Sequence, residues 1–312
     1  MAVADPTTDI FARPQRLVDI GHGRKINVHS FGWGSPTVVF SPGVAGRTLH
    51  WRYVQPAIAR HARTASYDRA GCGFSDPGPL PRLTSGHVSD LRAALSQAKI
   101  GPPYVLVGSS AGGHDVRLFA FEHPEEVIGM VLVDPGLDHQ NHRPSGRQYA
   151  PLWENQVRLM RGWLAHGPPS EGSAEYEACV GWSDPHVSAA MNAELKSWLL
   201  RPSTWEAMIA EYETLWMASS DELVASRRHL GDMPLTVLTA PAAEVPESPM
   251  ELAGTDRRSA AAADRSAGIA DLVSLSTRGV HRHVPDSGHI IQYDRPHAVI
   301  GAILEVLETA RQ

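Results

Sequence analysis

The sequence predicts an α/β fold, in which a mostly parallel sheet carries helices on both faces and an all-helical insertion interrupts the later crossovers. Three observations predict it. Short, wholly apolar, β-branched runs alternate with helical stretches of ten to fifteen residues, which is the rhythm of strand-helix-strand crossovers in a sheet buried on both sides. That rhythm stops between about 137 and 232, where only helical spacing is found. It resumes with PLTVLT at 234–239.

Taken in order, KINVHSF at 25–31 alternates in character and reads as a strand, and GWGSP at 32–36 as a turn. TVVF at 37–40 is a buried strand, followed by a helical stretch near 48–60. TASYD at 64–68 is the next strand, closed by Gly71 and Gly73. Beyond the loop PGPLPRLTS, Val88, Leu91, Leu95 and Ala98 fall on one face of a helix, with Ser85 expected as its N-cap. YVLVG at 104–108 is a strand, 111–123 a helix and VIGMVLV at 127–133 a strand.

Within the insertion, three sets follow helical spacing: Trp153, Val157, Met160 and Leu164; Met191, Leu195 and Trp198; and Met208, Tyr212, Leu215 and Trp216. After PLTVLT come a helix near 256–275, a strand near 279–284 and a final helix at 296–309.

Composition narrows the function classes. The chain has 312 residues, 42% apolar and 20% charged, with a formal net charge of −6, as expected of a water-soluble globular protein. That balance argues against a nucleic-acid surface, which needs concentrated Lys and Arg. The two distant cysteines, Cys72 and Cys179, are expected as free thiols in a reducing compartment. The N-terminus lacks the basic start and apolar stretch of a secretory signal, and no apolar run is long enough for a membrane span. The expected location is cytoplasmic.

GSSAGG at 108–113 lies directly between a buried strand and a helix and contains G-x-S-x-G centred on Ser110. A strand that turns sharply into a helix strains the central residue and lifts its side chain out at the carboxyl ends of the strands. Gly108 and Gly112 remove side chains that would collide there. Ser109 occupies an x position and is the poorer candidate. The segment is not G-x-G-x-x-G, and no Lys follows as in a phosphate-binding loop.

A serine hydroxyl needs a base. Of 16 histidines, His289 lies in the loop DSGHIIQYDRP, between a strand and the last helix, at the sheet edge expected for Ser110. His281 and His283 lie on the strand itself and are expected to point to opposite sides, so no metal site is expected from the three. Two carboxylates at strand ends could orient His289. Asp134 closes VLVD at a strand terminus, and Glu244 lies in the Pro-bracketed, Ala-rich loop after PLTVLT. Asp134 is preferred because a strand terminus has fixed geometry; Glu244 is the alternative. For an oxyanion hole, the amide of Ala111 follows the nucleophile. The loop SPGVAG at 41–46 offers a second donor, the amide of Val44.

FSPGVAG at 40–46, YDRAGCGFSDPGP at 67–79, YVLVGSSAGG at 104–113, VLVDP at 131–135 and PDSGHIIQYDRP at 285–296 together resemble the α/β-hydrolase family over nearly the whole chain. The resemblance implies the eight-stranded type of sheet. It also implies a core of residues 1–136 and 233–312, with a helical cap at 137–232. Ser110, Asp134 and His289 match the family's chain order of nucleophile, acid and base. Asp68 and Asp76 fall in a structural strand-loop and receive no catalytic role.

Two departures stand out. Pro42-Gly43 replaces a common His-Gly, and the turn where the family commonly carries its acid reads APAAEVP. A subset of relatives places the acid after the preceding core strand, where Asp134 falls.

The implied activity is that of a serine hydrolase working through an acyl-enzyme on a carboxylic ester or lactone, without a cofactor. Amide, thioester or C–C bond hydrolysis on the same residues is the alternative, as is a non-catalytic small-molecule receptor. An Asp nucleophile, as in dehalogenase and epoxide hydrolase relatives, is missing. Six of the eight tryptophans lie between 153 and 216. Most are expected to pack the cap onto the core, and a Trp-rich lid suggests a small-molecule substrate with an apolar part.

Overall fold

Alternate residues of the central strands face opposite ways, and both ways are covered. That is why these strands read as continuous apolar runs. The computed structural model describes residues 6–147, 149–180, 187–241 and 255–311. Its strands are β1 (Arg16–Asp19), β2 (Lys25–Phe31), β3 (Thr37–Ser41), β4 (Arg63–Tyr67), β5 (Tyr104–Ser109), β6 (Val127–Val133), β7 (Leu235–Thr239) and β8 (Gly279–His283). They form one eight-stranded sheet in the order β1-β2-β4-β3-β5-β6-β7-β8. The pairs β1/β2 and β2/β4 are antiparallel and the remaining neighbours are parallel.

The core helices are α1 (Gln55–Ile58), α2 (Thr84–Gln97) and α3 (Gly112–Glu122). Between β6 and β7 the chain forms α4 (Pro144–Arg147), α5 (Ala150–His166), α6 (Ala174–Cys179), α7 (Ala189–Leu199), α8 (Pro202–Leu215) and α9 (Ala218–Ser226). After β7 come α10 (Thr255–Val273), α11 (Ile291–Asp294) and α12 (Pro296–Ala310). No strand occurs between β6 and β7 among the described residues.

On one face of the sheet, Leu106, Met130 and Leu132 pack with Val88, Leu91, Phe119 and Leu272 of α2, α3 and α10. On the other, Val105, Val107, Val131 and Val133 pack with Ile58, Val299, Ile303 and Val306 of α1 and α12. Phe119 is fully buried, its ring meeting Tyr104 edge-on at 5.8 Å. Phe119→Ala is therefore expected to destabilise the protein by about 3–5 kcal/mol, which urea denaturation measures; a loss below about 1 kcal/mol would place this ring outside the core.

The helical segment docks through several contacts, apolar clusters among them. Met191, Leu195 and Trp198 of α7 pack with Phe11 and Leu49. Leu215 and Trp216 pack with Ala111, at the start of α3. Ser85 is not the N-cap of α2. The helix begins at Thr84, and the Ser85 hydroxyl instead donates to Glu222 Oε1 at 2.6 Å. Cys72 is a buried free thiol, and burial raises its pKa well above the usual thiol value.

Candidate active site

The turn from β5 into α3 leaves no room at either flanking glycine. A Cβ at Gly108 would lie 2.4 Å from the Gly112 carbonyl oxygen, and one at Gly112 would lie 2.2 Å from that of Ser41. Glycine alone permits strand, helix and the neighbouring loop to approach this closely. Between them Ser110 is driven to φ +53°, a left-handed conformation that only a surrounding framework sustains. Its N–H donates to the Val133 carbonyl at 3.1 Å, so strand β6 pins the turn. Ser109 points elsewhere, its buried hydroxyl accepting from Gln292 Nε2 at 3.2 Å.

Ser110 and Asp134 follow the carboxyl ends of adjacent strands, Ser109 pairing with Val133 in register. His289 follows β8, two strands further. The loop that carries it is braced by Ser287 Oγ donating to the Val284 carbonyl at 2.8 Å and by Gly288 N–H donating to Asp294 Oδ2 at 2.7 Å. The three side chains meet in one line. Ser110 Oγ lies 2.9 Å from His289 Nε2, and His289 Nδ1 lies 2.7 Å from Asp134 Oδ2. The carboxylate only accepts, so Nδ1 carries the proton and Nε2 is left as the acceptor for the Ser110 hydroxyl.

Asp134 is itself held by donors. Its Oδ1 accepts from Ala240 N–H at 3.1 Å and from Arg265 Nη2 at 2.9 Å. Glu244 lies outside the described residues. His281 and His283 do not diverge: residues two apart on a strand share a face. Burial and the neighbouring His283 together lower the His281 pKa, and His281 Nε2 meets Thr239 Oγ1 at 2.8 Å. His139 is partly exposed and pairs with Asp221 Oδ1 at 2.7 Å. His114, four residues past Ser110, is fully buried, and burial pushes its imidazole down to about 3.

The loop after β3 approaches the serine closely. A Cβ at Gly43 would lie 3.3 Å from Ser110 Cβ. Among the described residues, neither the Val44 nor the Ala111 N–H has an acceptor. Ala111 is the N-cap residue of α3, so the positive end of that helix lies beneath the serine. Val44 and Trp153 both pack against the cluster of Ala111, Leu215 and Trp216.

Sequence reasoning missed a buried charged group around this loop. Arg69 Nη2 donates to Asp115 Oδ2 at 2.6 Å and to the Pro42 carbonyl at 2.9 Å. Its Nη1 donates to Glu211 Oε2 at 3.1 Å and meets His87 Nδ1 at 3.0 Å. Burial opposes ionisation of Asp115, but Arg69 and His87 hold its carboxyl down at about 2. One signal was available: Glu211 lies three residues after Met208 and four before Leu215, an acid on the otherwise apolar face of its helix.

Asp68 and Asp76 brace the strand-loop. Asp68 accepts from Thr48 N–H at 2.7 Å and Asn27 Nδ2 at 2.8 Å, and Asp76 accepts from Lys25 N–H at 2.7 Å. Among the described residues, one group of potential metal ligands gathers, His123, Glu125 and Glu126. It lies at the start of β6, the far end of the sheet from Ser110, and Arg92 already takes Glu126 Oε1 at 2.6 Å.

An eight-stranded sheet with its nucleophile-like turn at the strand ends has relatives. The model of a family described as the alpha/beta hydrolase family matches residues 38–302. The chain belongs to the alpha/beta hydrolase family. Among curated relatives, 2-hydroxy-6-oxo-2,4-heptadienoate hydrolase from Pseudomonas putida is 32% identical over 130 residues, 40% of this chain and 46% of that protein. The uncharacterized protein YqjL from Bacillus subtilis is 33% identical over 109 residues, 35% of this chain and 43% of that one. The matches thus span under half the length of these relatives.

Among solved structures, an enol-lactonase from Burkholderia xenovorans superposes with a TM-score of 0.62 at 16% identity, covering 93% of this chain and 99% of that one. At that identity the likeness concerns the fold. This alpha/beta hydrolase has no helix, among the described residues, long and apolar enough to cross a membrane.

Proposed function

We propose that this chain is a serine hydrolase that cleaves a carboxylic ester or lactone with an apolar part through an acyl-enzyme. The observation that carries the reading is the unbroken line from Ser110 Oγ through His289 to Asp134, at 2.9 and 2.7 Å. Ser110 Oγ attacks the acyl carbon as its proton passes to His289 Nε2. The N–H groups of Val44 and Ala111 receive the oxyanion. His289 returns the proton to the departing alkoxide, and the bond between acyl carbon and leaving oxygen breaks. Water, deprotonated by His289, then attacks the acyl-enzyme, and the Ser110–acyl bond breaks as His289 returns that proton to Ser110 Oγ and the acid leaves.

In this reading the segment 137–232 caps the core formed by 1–136 and 233–312. Val44 and Trp153, half-buried against Ala111, Leu215 and Trp216, offer an apolar surface for the acyl part. Trp198 and Trp205 are buried and serve packing. The hydrolase named for the heptadienoate and the enol-lactonase support a small-molecule substrate with a reactive acyl carbon.

A fluorophosphonate probe tests the reading. One equivalent is expected on Ser110, and none on Ser110→Ala, read by intact-protein and peptide mass spectrometry. A folded wild-type protein that binds a small ligand yet takes no label on Ser110 would instead be a receptor on this scaffold.

A further inference from the structure

We propose that Glu211, carried by the helical segment between β6 and β7, is a positioning residue that sets the loop presenting the Val44 amide. Docking of that segment and assembly of the oxyanion donors are then one event. The inference rests on the reading of Ser110 as nucleophile and Val44 N–H as donor.

Two grips hold the loop, one on each side of Gly43-Val44. Arg69 Nη2 donates to the Pro42 carbonyl at 2.9 Å, and Glu211 Oε2 accepts from Ala45 N–H at 3.2 Å. The grips are joined, because Arg69 Nη1 donates to the same Glu211 oxygen at 3.1 Å. Arg69 N–H also donates to the Gly46 carbonyl at 3.0 Å. Asp115 and His87, the other side chains that meet Arg69 at hydrogen-bond distance among the described residues, belong to α3 and α2. Glu211 belongs to α8, so the downstream grip comes from outside the core.

The loop needs that grip. Ala45 sits at φ +52°, a left-handed conformation that a residue with a Cβ disfavours. Without Glu211 its N–H would be a buried donor lacking a partner, and the strained residue would relax. Its neighbour Val44 would move with it, and a donor aimed at a developing charge loses most of its value when displaced. Glu211 itself is 2% exposed. A carboxylate so buried is costly by burial alone, and two charge-assisted contacts compensate only while the segment is docked. Among the described residues its second oxygen, Oε1, has no hydrogen-bond partner and lies 3.9 Å from His87 Nε2. The hydrogen-bonding capacity in use is thus directed at Arg69 and the loop.

The test compares wild type with E211A, E211Q, E211D and the double variant A45G/E211A, all checked for a cooperative thermal melt. E211A is expected to lower kcat for a p-nitrophenyl ester by about 30–100-fold while KM stays within about threefold. The inhibition constant of a trifluoromethyl ketone, which needs the oxyanion donors, should rise by a similar factor. That of the product carboxylic acid should not. E211Q keeps an acceptor for Ala45 N–H and should recover most of the loss. A45G removes the strain, because glycine accepts a left-handed φ freely, and should rescue part of kcat on the E211A background.

If E211A does not fold, E211D carries the test. Its shorter side chain withdraws from Ala45, and about a tenfold loss in kcat is expected. Wild-type kcat and ketone affinity in E211A, or in E211D, overturn the proposal, as does an equal loss of ketone and product binding. Failure of the parent reading is separable, since it shows as an unlabelled Ser110 in wild-type protein whatever Glu211 does.

Discussion

Alanine at position 110 is expected to lower kcat for a p-nitrophenyl ester by about a millionfold, with the thermal melt unchanged. The size of the effect follows from the division of labour in the site. Ser110 Oγ donates to His289 Nε2, and without it the imidazole has no hydroxyl to activate. Ser109 cannot substitute: its hydroxyl is buried and held by Gln292. The fold should survive. Ser110 is partly exposed, so loss of one oxygen opens no sealed cavity, and alanine is no worse suited to φ +53° than serine. A variant that keeps a tenth of wild-type turnover would remove Ser110 from the chemistry, and with it the serine-hydrolase reading.

The central architecture was legible because both faces of β3, β5 and β6 are covered. Their sequences are consequently apolar without alternation, which marks a parallel sheet more strongly than any propensity. β1 escaped notice for the opposite reason: it is a short edge strand, RLVD, in which Val18 alone is buried. The start of α2 was misplaced because Ser85 has the chemistry of a cap, yet its hydroxyl is taken by Glu222, 137 positions away, a partner that local sequence does not reveal.

The candidate site divides in the same way. Ser110 sits in a local pattern, strand then glycine-bracketed turn then helix, and sequence alone locates it. Arg265, on a helix far along the chain, carries no local mark, although it holds Asp134 Oδ1 at 2.9 Å. Glu211 carried one, an acid among apolar positions, but which cation it met could be learned only from the way the helical segment docks.

The second large effect belongs to Asp134. Asp134→Asn is expected to lower kcat by about ten-thousandfold, and the surroundings of the side chain say why. Two donors, Ala240 N–H and Arg265 Nη2, converge on Oδ1. An asparagine at this position must keep its carbonyl oxygen toward them, because its amide nitrogen would meet two N–H groups there. The NH₂ is thereby turned toward His289 Nδ1. Facing a donor, Nδ1 must become the acceptor, the ring proton moves to Nε2, and Nε2 can no longer take the proton of Ser110 Oγ. The loss should therefore fall on kcat and leave substrate binding nearly intact. Ser110 in this variant should also react with a fluorophosphonate far more slowly than in wild type. Glu244→Gln is expected to leave kcat within about threefold of wild type, since Asp134 already occupies Nδ1 at 2.7 Å. Should Glu244→Gln bring the large loss and Asp134→Asn stay within tenfold, the acid of this site is Glu244, and Asp134 serves only to hold Ala240 and Arg265 against the end of β6.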